Sequence, residues 1–406
     1  MNKAFLIHYG GYITASLGAL IGVSLLSHFV PAKIYGTVAL YIALATLFQY
    51  VVRESFANAL MRHSAEIRQN KYITLTLAKK AIGPLIGCYV LICAFSCLWI
   101  GKAVVIQHVF GCILIFLLGG AVAGEAFLSA LLKRGAFALH NNIIQWLRFP
   151  LGALCFIYIS ESTASVLCGF IIAFIIGSLF DIFIWKKTTQ KCRPPDINPT
   201  NLNIFKGYAP ILVGFFVWFT TFYDRIAIEK IRGEDMLGIY FVLFQIAYMP
   251  VFTLMHASAN FLFPLLYNQK KKLLNTKRLL LLLCTVFSAW LFLQLFHQWL
   301  FSWLVGEAYR PYSWLLPWLF LAAIINAVAY LYQAKFYQPN AMKKLMIVKA
   351  VTAVICLITV TLFAWLYGIE GLVLANVCTS VCLITLSYHL GKKYQLVKDR
   401  PPASPI

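Results

Sequence analysis

The chain has 406 residues, of which 61% are hydrophobic and 12% charged, against about a quarter charged in an ordinary globular domain. That composition excludes a soluble fold, because a compact body still needs a polar skin to face water. In a soluble protein the formal net charge of +21 would point to nucleic acid; here the placement of the charges gives them another use.

Apolar runs between charged breaks predict membrane spans near 6–30, 34–60, 79–101, 104–131, 140–160 and 163–185. A second series follows near 207–229, 236–266, 277–304, 312–336, 345–367 and 369–390. Each is close to or longer than the roughly twenty apolar residues that cross about 30 Å of hydrocarbon. The runs are long and show no apolar/polar alternation, so helices are predicted and not barrel strands. The first follows a single Lys3 with no small-residue cleavage site, and it reads as a retained span, not a signal peptide. Of the 11 cysteines, Cys192 falls in a basic connection and the others in apolar segments, which predicts free thiols. No spacing resembles a zinc site.

Lys and Arg crowd every second connection. Arg62, Arg68, Lys71, Lys79 and Lys80 form one cluster, Lys133 and Arg134 the next, then Lys186, Lys187, Lys191, Arg193 and Lys206. Lys270, Lys271, Lys272, Lys277 and Arg278 follow, then Lys335, Lys343, Lys344 and Lys349, then Lys392, Lys393, Lys398 and Arg400. The alternate connections hold only Lys33, Lys102, Lys230, Arg232 and Arg310. The positive-inside rule places the crowded side in the cytoplasm and predicts twelve helices with both termini cytoplasmic. The basic residues are then orientation signals that also hold anionic lipid headgroups, and no nucleic-acid partner is expected.

The connection KKTTQKCRPPDINPTNLN, 186–203, is the longest polar stretch and divides the chain. It gives an N-terminal lobe of six spans (1–190), a linker (191–205), a C-terminal lobe of six spans (206–392) and a tail (393–406). Residues 36–62 align without gaps on 238–264, matching at Gly36/Gly238, Ala45/Ala247, Ala57/Ala259, Asn58/Asn260 and Leu60/Leu262. Both segments are the second span of their block and run the same way. Equal orientation implies a parallel repeat about an axis along the membrane normal.

Three stretches carry a family resemblance: PAKIYGTVALYIALATLFQYVVRESFANALMR in span two, YDRIAIEKIRGEDMLGIYFVLFQIAYMP across spans seven and eight, and YGIEGLVLANVCTSVCL at span twelve. With their Leu-Gly-Ile-Tyr opening of span eight and the Tyr-Gly-Ile-x-Gly turn before the last span, they resemble polysaccharide transporters of the O-antigen flippase type. That family belongs to the multidrug/oligosaccharidyl-lipid/polysaccharide (MOP) exporter superfamily. The resemblance implies two six-helix lobes around a central cavity, working by alternating access in the bacterial inner membrane. It implies a substrate of undecaprenyl-pyrophosphate carrying an oligosaccharide unit, no cofactor beyond coupling to protons or another ion, and polysaccharide polymerase and chain-length machinery as partners.

Ionisable residues inside hydrocarbon cost several kcal/mol unless paired or wetted, so they are the site candidates. Arg53 and Glu54 lie in span two, Glu125 in span four, Arg148 in span five, Asp224 and Arg225 in span seven, and His256 in span eight. Under the repeat, Glu54 and His256 are equivalent positions. The functional reading makes Arg53, Arg148 and Arg225 substrate-binding, with arginine forks matched to pyrophosphate, and makes Glu54, Glu125, Asp224 and His256 ion-coupling. The bland readings are interhelical pairs, a local Asp224–Arg225 pair near a helix end, and a satisfied core histidine. Asp181 is expected to pair with Lys186 and Lys187. Tyr240 and Tyr248 serve either as interfacial anchors or as sugar platforms, and Pro210, Pro250, Pro264 and Pro317 as hinges or inert kinks.

Two other functions remain open. A drug or organic-cation exporter of the same fold calls for an acidic cavity, whereas these candidates are balanced or slightly basic. A membrane-embedded polysaccharide enzyme calls for a large exported loop or an Asp-x-Asp metal site, and the sequence has neither.

Overall fold

The computed structural model describes residues 3–69, 72–100, 105–189, 209–268, 276–333, 336 and 342–398. The predicted linker 191–205 and the last part of the tail, 399–406, lie outside them. Among the described residues every regular element is helical. The first block holds α1 (Lys3–Phe29), α2 (Ala32–Val52, continuing through a π-turn at Arg53–Ala57 into Asn58–Arg62), α3 (Tyr72–Trp99), α4 (Val105–Ala130), α5 (Arg134–Tyr158) and α6 (Thr163–Thr189). The second holds α7 (Ala209–Arg232), α8 (Glu234–Asn268), α9 (Thr276–Leu304) and α10 (Leu316–Gln333), the last entered through a 3-10 segment, Glu307–Leu315. One long helical stretch, Met342–Lys398, closes the chain and is broken at Gly368 (φ 64°, ψ −129°). Only glycine adopts that backbone without strain, and it divides α11 (342–367) from α12 (369–398).

Nine described stretches are long and apolar enough to cross a membrane, the last of them spanning both α11 and α12. Their outward faces are greasy: Ile82, Leu91, Leu98, Phe116, Leu179, Leu295 and Trp365 are all more than half exposed, as lipid-facing side chains are. The α5 helix is outside that set because its sequence carries polar residues at Asn141, Gln145 and Arg148. The spacing i, i+4, i+7 puts these three on one face of a helix. Pro210 and Pro317 are second residues of α7 and α10, where a missing N–H costs nothing. Interior prolines are Pro250 and Pro264 in α8, with Pro84 in α3 and Pro150 in α5 beside them.

Packing repeats between the blocks. In the first, α1 lies on α5, α2 on α4 and α4 on α6; in the second, α7 lies on the α11–α12 stretch, and α8 and that same stretch lie on α10. Between lobes, α2 meets α8, while α1–α8 and α2–α7 form a matched pair of contacts. The seam is reciprocal at one point. A Cβ on Gly36 would sit 2.0 Å from the Glu234 carbonyl oxygen, and a Cβ on Gly238 would sit 1.9 Å from that of Ala32. Both contacts carry the offset of the repeat, so a pseudo-two-fold axis passes between the two glycines. Alanine at either glycine is expected to force the helices apart and cost about 1–3 kcal/mol, read as a lowered thermal midpoint of the detergent-purified protein. Gly120→Ala, where an added Cβ meets nothing within 4 Å, is the control; equal behaviour of all three variants would dismiss the glycine seam.

The helix connections alternate between two ends of the bundle. Lys79, Lys80, Lys133, Lys186, Lys187, Lys343 and Lys344 mark one, the basic end, where Lys133 Nζ donates to Thr188 Oγ1 at 2.6 Å. At the other end Lys33, Trp99, Thr163 and Lys230, from four different connections, line one cleft. Lys349 departs from the sequence expectation: it is 2% exposed and buried among α11's neighbours, not part of a polar connection.

Candidate functional site

Between the lobes lies a cavity of about 130 Å³. Helix α2 contributes Thr46, Gln49, Tyr50 and Arg53; α4 contributes Glu125; α5 contributes Asn141, Gln145 and Arg148; and α8 contributes Gln245, Thr253 and His256. Four of the seven sequence candidates, Arg53, Glu125, Arg148 and His256, thus converge.

Arg53 is the hub. Its Nη1 donates to His256 Nδ1 at 2.8 Å, and its Nη2 lies 3.7 Å from Glu125 Oε2. A guanidinium can only donate, so His256 Nδ1 accepts and the imidazole is the neutral Nε2–H tautomer in this arrangement. The bond joins α2 of one lobe to α8 of the other. Arg53 opens the π-turn Arg53–Ala57, in which the Ser55 hydroxyl bonds the Val51 carbonyl. Such a turn inserts extra rotation into the helix and often marks a functional position. The next residue, Glu54, does not line the cavity; it is 2% exposed and accepts from Asn58 Nδ2 at 3.0 Å. On its side of α2 lies Lys349, whose ammonium is also 6.0 Å from the Tyr330 ring centroid. Equivalence under the repeat therefore does not give Glu54 and His256 a common environment.

Arg148 stands 4.4 Å over the Phe149 ring. Its Nε has no hydrogen-bond partner, and among the described residues no carboxylate lies within ion-pair distance of it. With Arg53 and Glu125 paired and His256 neutral, the cavity carries one uncompensated positive charge.

Behind Glu125 the N-lobe holds a second pair of ionisable side chains. His140 Nδ1 is 2.9 Å from Asp181 Oδ1, and His140 is wholly buried. Gly124 makes room for that carboxylate: a Cβ there would lie 2.0 Å from Asp181 Oδ2. Asp181 therefore pairs with histidine on α5 and not with Lys186 and Lys187, because its side chain turns into the lobe while the lysines extend toward solvent.

Asp224 and Arg225 are also placed otherwise than a helix-end pair. They lie about two turns before Arg232, with Arg225 0% and Asp224 3% exposed. Arg225 Nη1 donates to Asp224 Oδ1 at 3.2 Å and to the Thr221 carbonyl at 3.1 Å, and its guanidinium is held between the rings of Phe222 (4.3 Å) and Phe244 (4.2 Å). Asp224 also accepts from the Tyr240 hydroxyl and from Asn376 Nδ2 at 3.3 Å. This network ties α7, α8 and α12 within the C-lobe, and neither Asp224 nor Arg225 lines the cavity. Tyr240 is engaged in it, and Tyr248 is stacked on Phe244 (4.3 Å, 19°); both are buried, and neither presents a free ring to a sugar.

Sequence reading missed Thr46, Gln49, Asn141, Gln145 and Gln245. A signal was present. Thr46, Gln49 and Arg53 follow an i, i+3, i+7 spacing, as Asn141, Gln145 and Arg148 follow i, i+4, i+7, so each apolar helix carries a polar stripe.

No family model matches the sequence, and no curated protein does. Solved structures do match over nearly the whole chain. A multidrug-resistance MATE-family transporter of the MOP superfamily, in an outward-facing conformation, is 15% identical with a TM-score of 0.65 over 98% of this chain and 100% of that one. A MOP-superfamily transporter from Pyrococcus furiosus, described as having a binding pocket of reverse polarity that suggests a different function, is 12% identical with a TM-score of 0.60 over 97% and 99%. A MATE structure in a straight conformation is 13% identical with a TM-score of 0.60 over 98% of this chain and 100% of that one. The chain has the two-lobed fold of these transporters.

Proposed function

We propose that this chain is a membrane transporter for an amphipathic anion, a lipid-linked pyrophosphate oligosaccharide, flipped across the bacterial inner membrane by alternating access. The observation that carries the reading is Arg148, an arginine without a carboxylate partner in the cavity between the lobes. An uncompensated guanidinium in a low-dielectric cleft attracts phosphate and repels organic cations. Arg53 adds a second fork once it is drawn from Glu125 and His256. Because the Arg53–His256 bond crosses between lobes, a substrate phosphate competing for Arg53 loosens the lobe contact, and binding then biases the two states differently. The same fold in multidrug exporters supports a second reading, export of cationic drugs, in which Glu125 would be the recognition group. Proteoliposomes separate the two: translocation of a fluorescent lipid-linked oligosaccharide supports the first, and ethidium transport without it supports the second.

Glu125 is the group proposed to couple an ion. Glu125→Gln keeps the shape of the side chain but fixes it neutral, so Arg53 loses its anion permanently. The expected result is glycolipid flipping that no longer responds to an imposed pH gradient. A response as large as that of the parent protein would remove Glu125 from the coupling role.

A further inference from the structure

We infer that the wide cleft between the lobes, at the end opposite the basic one, is a binding site for a neutral, hydroxyl-rich oligosaccharide, with Trp99 and Glu229 as its principal contacts. The inference deepens the flippase reading and rests on it for the identity of the glycan as cargo.

The central cavity, at about 130 Å³, falls below the roughly 300–1,000 Å³ of ordinary ligand pockets. It accommodates a phosphate group, not a sugar chain. The cleft is about 580 Å³ and shares no lining residue with the central cavity. Both lobes build it: Lys33 from α2, Trp99 from the end of α3 and Gln107 from α4 face Glu229, Lys230 and Glu234 from the α7–α8 corner.

The chemistry of that wall is selective. Among the described lining residues two lysines and two glutamates cancel, in contrast to the cationic central cavity. Lys230 Nζ lies 3.2 Å from Glu229 Oε2 and 5.3 Å from the Trp99 ring centroid, which ties carboxylate, ammonium and indole into one unit. One atom of this unit lacks a hydrogen-bond partner, the Trp99 Nε1 donor, while the Glu229 carboxylate is engaged by the Lys230 ammonium. Buried orphans of this kind are rare and call for a reason. A small side-chain rotation of the sort common on binding would turn the indole N–H to a ligand acceptor, and the adjoining Lys230–Glu229 pair offers both a donor and an acceptor. The indole gives a flat apolar surface with a polar edge, suited to the alternating C–H and O–H character of a pyranose. A tryptophan that merely anchors the membrane interface would need none of these neighbours.

The cleft also adjoins the lobe pivot, since Glu234, whose carbonyl abuts Gly36, is part of its wall. A glycan seated there is held by both lobes at once.

The test uses the full-length protein, purified and shown monodisperse, on an array of neutral, acidic and amino oligosaccharides, with affinities of the best ligands then measured by thermophoresis. Neutral glycans are expected to bind. Trp99→Ala and Glu229→Gln should each weaken binding at least tenfold, and Trp99→Phe, which keeps the ring and loses the N–H, should fall between. Trp318→Ala, a change at a lipid-facing tryptophan, should leave the affinity unchanged. No neutral glycan bound, a preference for acidic or amino sugars, or full affinity in Trp99→Ala and Glu229→Gln would each overturn the proposal. The anion pocket is judged separately by export from cells carrying Arg148→Ala, so loss of one reading does not remove the other.

Discussion

Arg148→Ala is expected to abolish surface polysaccharide while leaving the amount of protein in the membrane unchanged. The two halves of that result have different causes. Truncating a charged partner in a desolvated contact costs about 2–5 kcal/mol, so losing the guanidinium–phosphate contact predicts at least a tenfold fall in flipping. Stability should not suffer, because no carboxylate in the described structure depends on Arg148, and its removal leaves no orphaned charge behind. Arg148→Lys should recover part of the activity, keeping the charge and losing the planar fork. Polysaccharide on gels and protein on immunoblots give the two readings from one culture. Normal polysaccharide from the alanine variant would dismiss the anion pocket.

Asp224→Leu should give the opposite pattern, a protein that fails to accumulate. Arg225 is 0% exposed and Asp224 is its only ion-pair partner among the described residues. Breaking such a buried pair from one side costs about 3–5 kcal/mol, because the remaining charge is uncompensated. The Tyr240 hydroxyl and the Asn376 amide lose their shared acceptor as well. Replacing both members, Asp224→Leu with Arg225→Leu, should restore much of the accumulation, since an apolar pair leaves no buried charge. A double variant no more abundant than the single one would argue against a structural role, as would a single variant that accumulates normally but does not export.

How much of this was legible in the sequence follows from what each feature depends on. Spans and their alternation depend on local composition and on charges at helix ends, and Lys79, Lys133 and Lys186 mark one end of the bundle without reference to packing. The repeat was visible through Gly36 and Gly238 because a close helix crossing tolerates no side chain in either lobe. The cavity was half legible: Arg53, Glu125, Arg148 and His256 stood out as charges in hydrocarbon, but the polar stripe of α5 was legible only through its spacing. Direction was not legible. Arg53 faces the cavity on the Thr46/Gln49 stripe and Glu54, one residue on, faces away from it, and composition alone does not report which of two adjacent charges meets the cavity. The His140–Asp181 pair depends on how α5 crosses α6, and Lys349 on how far α11 sinks into the bundle, both properties of tertiary packing.

The crossing of α2 and α8 has a consequence for how the two halves fit together. Its contacts are isologous: what Gly36 presents to Glu234, Gly238 presents to Ala32. A surface that recognises its own copy needs no second gene segment to find a mate. Each six-helix half carries its own copy of that patch, while the halves differ elsewhere: Arg53 and Arg148 line the cavity in one, and Asp224 and Arg225 form a sealed ionic core in the other.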